Sequence, residues 1–281
     1  AANSLNSDDL QAFIQHTLSN NQLRIFAFGN YDKATVSQVL SELKQALPPM
    51  RTELPYQRSA YWKPVAGQTL VVQKDIDVAD VALVDVHIHP EPSYSQLARA
   101  TILKSHFSNV AFDKLRTEEQ LAYAVGGTAM QLEDYVGFAM YIQTPVKGVA
   151  DMQARFDSFK QQYAKELDNL TEEAFAQLKA STLVTLKEPP KNMQDEVGPL
   201  LADWYRERFS FDSKQQLIAA VEQVTLADVK AFYRETMLND KAPRISVQMR
   251  GTKFRDQPFA DLKGQIKVDD VAAFHRQMQK Q

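Results

Sequence analysis

The segment VTLADVKAFYRETMLNDKAPRISVQMRG, residues 224–251, predicts an amphipathic helix that leads through a polar turn into a short strand. Val229, Phe232 and Tyr233 recur at the three- and four-residue spacing of one helix face. The last part of the segment is rich in residues that favour strands. We therefore expect these residues to form a helix–strand unit with one apolar helix face.

The same pattern occurs near the start of the chain. Residues 5–29 read LNSDDLQAFIQHTLSNNQLRIFAFG, and Leu10, Phe13 and Ile14 form the apolar helix face. At an offset of about 220 residues the copies share identical residues, which are Asp9 and Asp228, Ala12 and Ala231, Phe13 and Phe232, Thr17 and Thr236, Asn20 and Asn239, Arg24 and Arg244, and Ile25 and Ile245. A repeat of this length indicates tandem modules that end in helix and strand.

One copy of this ending lies at the start of the chain without the body of its module. We therefore expect the chain to be a fragment of a longer protein with tandem modules. A chance resemblance between two ordinary helix–strand units is the alternative.

The residues between the two copies predict a series of strands and helices. Strands rich in Val and Ile are expected at 68–74, 81–89, 121–130 and 134–143. Helices are expected after Ser93 and at 147–167, 171–187, 192–209 and 225–238. Strands and helices do not alternate strictly, and the strand pairs resemble hairpins. This favours an α+β fold, an antiparallel sheet flanked by helices, over a doubly wound parallel sheet.

Composition bounds the possible partners. The chain has 281 residues, a formal net charge of −3 and no cysteine, so disulfides and thiolate chemistry are excluded. Charges of both signs are scattered, and nothing points to nucleic acid or an anionic membrane. No stretch approaches the roughly 18 apolar residues of a membrane span. The opening AANSLNSDDL lacks the basic start and apolar core of a signal peptide.

The histidines do not form a familiar metal-binding motif. Neither His-Glu-x-x-His nor His-x-x-Glu-His occurs, so the chain cannot supply that type of zinc site. Asp85, His87 and His89 alternate along one strand, where two imidazoles could share a metal, as in the first strand of amidohydrolase barrels. That family needs further histidines at later strand ends, and only His106 and His275 follow, both on predicted helices. We therefore interpret the three residues as the polar outer face of a half-exposed strand.

The sequence also lacks the short motifs of two other kinds of functional site. No glycine-rich phosphate loop and no Gly-x-Ser-x-Gly elbow is present. A Ser–His–Asp arrangement stays open on spacing alone, because such triads are assembled in space.

The segment LRTEEQLAYAV, residues 115–125, is more specific. Thr117 and Gln120 have the spacing of a capping box, which predicts a tight turn before a strand. Along that strand Leu121, Tyr123 and Val125 should share one face. On the residues alone, Arg116 and Tyr123 could converge on one point, or they could be a surface arginine and a partly buried tyrosine.

The segment resembles the Leu-Arg-Thr-x-Glu-Gln-Leu-Gly-Tyr stretch in the C-terminal half of pitrilysin- and insulysin-type zinc peptidases. The resemblance covers most of the chain, including the ending at 7–30, the helices after Thr171, FSFD at 209–212 and the TLADVKAFY helix. In this family four homologous α+β modules form two bowl-like halves around a closed chamber. The resemblance implies that residues 1–50 are the tail of the third module, 51–66 a linker and 67–281 the inactive fourth module.

The resemblance also implies roles. The family binds zinc through the first module, so zinc would be held by an N-terminal portion outside this chain, and this fragment alone would be inactive. The family's substrate-contacting arginine and tyrosine correspond to Arg116 and Tyr123, with Ala122 where glycine is usual. Implied partners are peptide substrates and the N-terminal half of the same protein, and a periplasmic location follows from family analogy only.

Two alternatives remain. One is a catalytically inactive partner subunit or structural homologue of the same family, which would keep the fold and a binding surface. The other is an independent metal hydrolase that uses His87 and His89, which predicts stoichiometric metal in the isolated chain. Peptide specificity and oligomeric state cannot be read from the sequence.

Overall fold

The computed structural model describes residues 5–19, 24–47 and 61–278. The chain divides into two compact units: Ala1–Ser59 with Pro190–Phe211, and Ala60–Pro189 with Asp212–Gln281. Much of the expected linker at 51–66 lies outside the described residues. No helix among the described residues is long and apolar enough to cross a membrane.

The described part of the first unit contains helices and a segment without regular secondary structure. Its helices are α1 (Ser7–Ser19), α2 (Lys33–Ala46) and α6 (Met193–Tyr205). The strand expected after α1 does not form, since residues 24–28 have no regular secondary structure. Phe26 instead packs against Trp204 and Phe211, with ring centroids 5.5 and 6.1 Å apart.

The second unit contains a six-stranded sheet covered by helices on one face. The strands are β1 (Thr69–Asp75), β2 (Val81–Ile88), β3 (Ala124–Leu132), β4 (Tyr135–Thr144), β5 (Arg244–Arg250) and β6 (Gln265–Lys267). The helices are α3 (Tyr94–Ala111), α4 (Val149–Asp168), α5 (Glu172–Lys187), α7 (Ser213–Gln223), α8 (Leu226–Met237) and α9 (Val271–Met278). The expected α+β class is confirmed, whereas α7 was not predicted.

The sheet is mixed rather than purely antiparallel. Its strand order is β3-β4-β2-β5-β1-β6. The β3–β4 hairpin turns at Glu133 as expected, and β2 pairs antiparallel with β4 and β5. However, β5 lies between β1 and β2 and runs parallel to β1. Strands β1 and β2 are therefore not neighbours, because a strand from the far end of the chain separates them.

Helix starts follow the predicted capping chemistry. The Ser93 hydroxyl accepts a hydrogen bond from the Gln96 N–H at the start of α3, and Thr171 does the same for the Ala174 N–H at α5. At α8, Thr225 and Asp228 form a reciprocal capping box. Each cap fixes the residue at which its helix begins.

The main core lies between the sheet and helices α3, α4 and α8. Aromatic rings fill its centre, where Phe107 contacts Tyr163 at a centroid distance of 4.6 Å and Tyr163 contacts Tyr233 at 5.0 Å. Gly127 of the edge strand β3 has no room for a side chain, because a Cβ there would lie 2.5 Å from Phe107. The Ser108 hydroxyl of α3 bonds both the N–H and the carbonyl of Gly127, which secures the edge strand to the helix.

The two repeat copies differ sharply in burial. On α8, Val229, Phe232 and Tyr233 are 2%, 0% and 0% exposed. The equivalent side chains of α1 are exposed, namely Leu10 at 59%, Phe13 at 66% and Ile14 at 45%. The same apolar face therefore closes a core in α8 and lies open in α1.

We predict that Phe232→Ala lowers the free energy of unfolding by about 3–5 kcal/mol, because it empties a filled core site. The matched change Phe13→Ala should alter it by less than about 0.5 kcal/mol, because its ring is mostly solvated in this chain. Urea unfolding of the two variants and the parent measures the difference. Equal losses would show that the α1 face is covered.

Candidate functional site

The segment expected to carry the site follows α3 without a break. α3 continues into a π-helix, Phe112–Glu118, a wider helical turn that is frequently found at functional sites. Arg116 lies in the last turn of this π-helix, and Tyr123 lies directly before β3. The expected capping box is absent, because Thr117 lies within the π-helix instead of before a helix.

The connection after the π-helix is held against the core. Leu115 and Leu121 are buried, and the Leu121 N–H donates to the Leu115 carbonyl at 2.9 Å. The Glu119 N–H donates to the Lys114 carbonyl at 3.1 Å. Gln120 has a φ of 53°, in the left-handed region that residues other than glycine seldom occupy. The connection therefore has a single, well-anchored path.

Arg116 and Tyr123 both reach the surface. The Arg116 guanidinium lies over the Phe112 ring, 4.7 Å from its centroid, and Tyr123 is 62% exposed. The prediction that Tyr123 shares a face with Leu121 and Val125 is wrong, because those two are buried and the regular strand starts only at residue 124. Within the described part of the chain, neither side chain forms a hydrogen bond or ion pair, and the structure shows no contact between the two.

The acids next to Arg116 are committed to other cations. Glu118 pairs with Lys114 at 2.5 Å, one turn earlier on the same helix. Glu119 pairs with Arg155 of α4 at 2.6 Å. The charge of Arg116 is therefore not neutralised by the two glutamates that follow it, and its N–H groups are available to an incoming acceptor.

The Asp85–His87–His89 strand is not the half-exposed polar face that the sequence predicts. The three residues are 0%, 5% and 3% exposed, so this face is buried beneath α4 and α8. Asp85 accepts two hydrogen bonds from Arg244 at 2.5 and 2.7 Å. The Lys160 ammonium lies 3.1 Å from His87 Nε2 and 3.7 Å from the Asp85 carboxylate. The strand can bury these polar groups because cations from α4 and β5 surround the carboxylate.

Burial and charge set the protonation of this cluster. Burial by itself would raise the pKa of Asp85, but the adjacent His87 ring and the Arg244 and Lys160 cations hold that pKa well below its usual range. Burial lowers the pKa of His87, and Asp85 only partly offsets this. At neutral pH the cluster therefore contains an ionised Asp85 and a neutral His87.

The two histidines are engaged separately. His87 Nε2 faces Asp85 and Lys160, whereas His89 Nε2 lies 3.3 Å from Glu235, and the His89 ring stacks on Phe232 at 5.7 Å. Among the described residues, no group of three or more His, Cys, Asp or Glu side chains is arranged to hold a metal ion. The contacts of Asp85 and His87 with Lys160 and Arg244 form a buried polar network.

Comparisons with known proteins agree on one family. Residues 102–201 match the family described as PQQ synthase PqqF-like, C-terminal lobe domain 4. Protease 3 of Escherichia coli O6:H1 is 22% identical over 75% of this chain and 22% of its own length. Human insulin-degrading enzyme is 24% identical over 84% of this chain and 24% of its own length. The crystal structure of pitrilysin superposes on 98% of this chain and 29% of its own with a TM-score of 0.86 and 20% identity.

The chain is related to the C-terminal part of the insulinase-family peptidases. The resemblance inferred from the LRTEEQLAYAV segment is thereby confirmed, and the fold agrees with that of pitrilysin. The chain spans less than a quarter of the length of the curated relatives named above. The family match at 102–201 includes both the π-helix and Tyr123.

Several residues that contribute to these contacts were not predicted from the sequence. Arg244 was noted only as a repeat position, and nothing marked Lys160 as the partner of a strand residue 73 positions away. Arg155, which binds Glu119 from 36 positions away, also carried no signal. Such pairs form between distant elements, so their spacing in sequence is not informative.

We predict that acidification destabilises the folded chain. The pKa values of His87 and of His106, which is hydrogen-bonded to Tyr163, are lowered from 6.5 mainly by burial. When folding lowers the pKa of a histidine, the unfolded chain takes up the proton at a higher pH than the folded chain does. The folded state therefore loses stability as the pH falls below the pKa of that histidine in the unfolded chain. Urea unfolding between about pH 7.5 and pH 5.5 should therefore show a falling free energy of unfolding.

His87→Gln removes one of the two groups and should reduce this pH slope. An unchanged slope in His87→Gln would contradict the assignment of a neutral, buried His87.

Proposed function

We propose that this chain is the C-terminal, non-zinc-binding half of a zinc metalloendopeptidase that degrades peptides and small polypeptides. Arg116 and Tyr123 would contact the substrate near the scissile bond. The observation that carries this proposal is that one short, anchored segment presents both an arginine whose charge is not neutralised by the neighbouring glutamates and an exposed tyrosine whose hydroxyl forms no hydrogen bond with the described residues. Similarity to insulinase-family peptidases supplies the reaction class.

The chemistry of the two side chains fits the proposed step. Zinc, bound by the N-terminal half, would activate the water that attacks the peptide carbonyl. Negative charge then develops on the carbonyl oxygen, and the fixed cation of Arg116 and the O–H of Tyr123 can donate hydrogen bonds to it or to neighbouring peptide groups.

The proposed partners follow from the same assignment. The exposed face of α1 supports the inference that residues 1–50 are the tail of a third module, 51–66 a linker and 67–281 a fourth module. The N-terminal half of the same protein would cover that face and hold the zinc. Peptides would be the substrates, and a periplasmic location is proposed from analogy with the family.

In the complete enzyme, Arg116→Ala and Tyr123→Phe should each lower kcat by about 10²- to 10³-fold, the usual effect of removing one oxyanion donor. Zinc content should not change, because the proposed zinc ligands belong to the N-terminal half and not to this chain. Arg255→Ala and Tyr205→Phe, which alter an exposed arginine and an exposed tyrosine elsewhere, should retain parent activity. Unchanged turnover in Arg116→Ala and Tyr123→Phe would refute the contact role and favour an inactive partner subunit.

The isolated chain should neither hydrolyse a quenched fluorescent peptide nor hold zinc. The described residues offer no cluster of metal ligands, so added zinc should leave both results unchanged. Peptide cleavage and metal analysis of the purified chain provide the test. Chelator-sensitive activity with about one zinc per chain would overturn the assignment and return attention to His87 and His89.

A further inference from the structure

The connection between the two proposed contact residues has one ionic anchor. The Glu119 carboxylate accepts hydrogen bonds from Nε and Nη2 of Arg155 at 2.8 and 2.6 Å. Because a guanidinium is planar and rigid, this two-pronged bond fixes orientation as well as distance. Glu119 is thereby tied to α4, an element to which neither Arg116 nor Tyr123 belongs.

Arg155 is itself held in place. Its side chain is only 14% exposed and lies over the ring of Phe159, a fully buried core residue of α4, with 5.8 Å between the guanidinium carbon and the ring centroid. Nη2 also donates to Gln162 at 3.1 Å. The hydrogen bond from Arg155 lowers the pKa of Glu119, which keeps the carboxylate ionised at neutral pH. The anchor is therefore charged at both ends.

The two buried leucines, Leu115 and Leu121, hold the connection against the core, and the ion pair adds a tie to α4. An open cleft of about 460 Å³ lies between the π-helix and α4. Its lining comes from both elements and from the end of α3, and includes Val110, Asp113, Lys114, Glu118, Phe159 and Glu166. The π-helix and α4 do not pack closely along this cleft, and the Glu119–Arg155 bond is a direct link between the connection and α4.

We propose that the Glu119–Arg155 ion pair is a positioning element that sets where Arg116 and Tyr123 stand. The inference rests on the function proposed above for those two residues. The neighbouring Lys114–Glu118 pair lacks this role, because both partners lie on the π-helix and are 42% and 60% exposed. The two adjacent glutamates therefore give a matched comparison within one segment.

The experiment uses the complete enzyme with Arg155→Met, Arg155→Lys and Glu119→Gln, and with Glu118→Gln as the control. Amide hydrogen exchange across residues 115–123 should become about tenfold faster in the first three variants, because a charged hydrogen bond is lost. Their kcat should fall by about 10- to 100-fold, since small displacements of a catalytic donor are costly. KM should change less and zinc content should stay constant. Glu118→Gln should match the parent in every readout.

Both partners of the ion pair are replaced in turn, so that the test still holds if one of the two variants does not fold. Glu119→Gln leaves a mostly buried Arg155 without its counter-charge, whereas Arg155→Met leaves only Glu119, whose side chain is 28% exposed. If Glu119→Gln does not fold, Arg155→Met decides the question. Arg155→Lys keeps the positive charge but cannot form both hydrogen bonds of the planar guanidinium. A kcat equal to that of the parent in this variant would therefore overturn the role of the ion pair in positioning.

The outcomes separate this inference from the proposed function. Unchanged exchange in Arg155→Met overturns the anchor, whatever the activity. Faster exchange with parent kcat, in an enzyme that Arg116→Ala does impair, overturns the positioning role. If Arg116→Ala and Tyr123→Phe have no effect, the proposed function fails, and faster exchange in Arg155→Met still supports the anchor.

Discussion

The buried bond between Asp85 and Arg244 constrains the rest of the second unit. Asp85 is fully buried in β2, and the bidentate hydrogen bonds from Arg244 offset much of the cost of removing its charge from water. Arg244 is the first residue of β5, where it lies beside His87. A slip of β5 by one residue would turn Arg244 to the opposite face and leave a buried carboxylate without its main cation. The ion pair thus favours a single pairing register for β5, the strand that lies between β1 and β2.

Helix α4 connects this network to the candidate site. One side of α4 inserts Phe156, Phe159 and Tyr163 into the core. Lys160 reaches the buried cluster on β2, and Arg155 reaches the connection beyond the π-helix. Because both cations extend from the same core-packed helix, the surface that presents Arg116 and Tyr123 is supported by the same scaffold that stabilises the sheet.

Local features were predictable from sequence and distant pairings were not. The Ser93 and Thr171 caps and the turn at Glu133 were anticipated because each depends on residues within a few positions of one another. The placement of β5 between β1 and β2 was missed, since Asp85 and Arg244 are 159 residues apart and no spacing rule links them. The buried Asp-x-His-x-His face was misread for a related reason: alternation shows which residues share a face, but not whether a helix covers it. At the site, family resemblance identified Arg116 and Tyr123, whereas the π-helix and Arg155 appear only in three dimensions.

The position of β5 also bears on how the chain acquires its structure. Strand β5 is made from residues 244–250, yet it occupies the gap between two strands that are synthesised before residue 89. Until it arrives, β1 and β2 each have an unpaired edge, and such edges invite association with other chains. Contacts of this sequence separation slow folding. The sheet of this module can therefore close only after residues 244–250 have reached the gap between its first two strands.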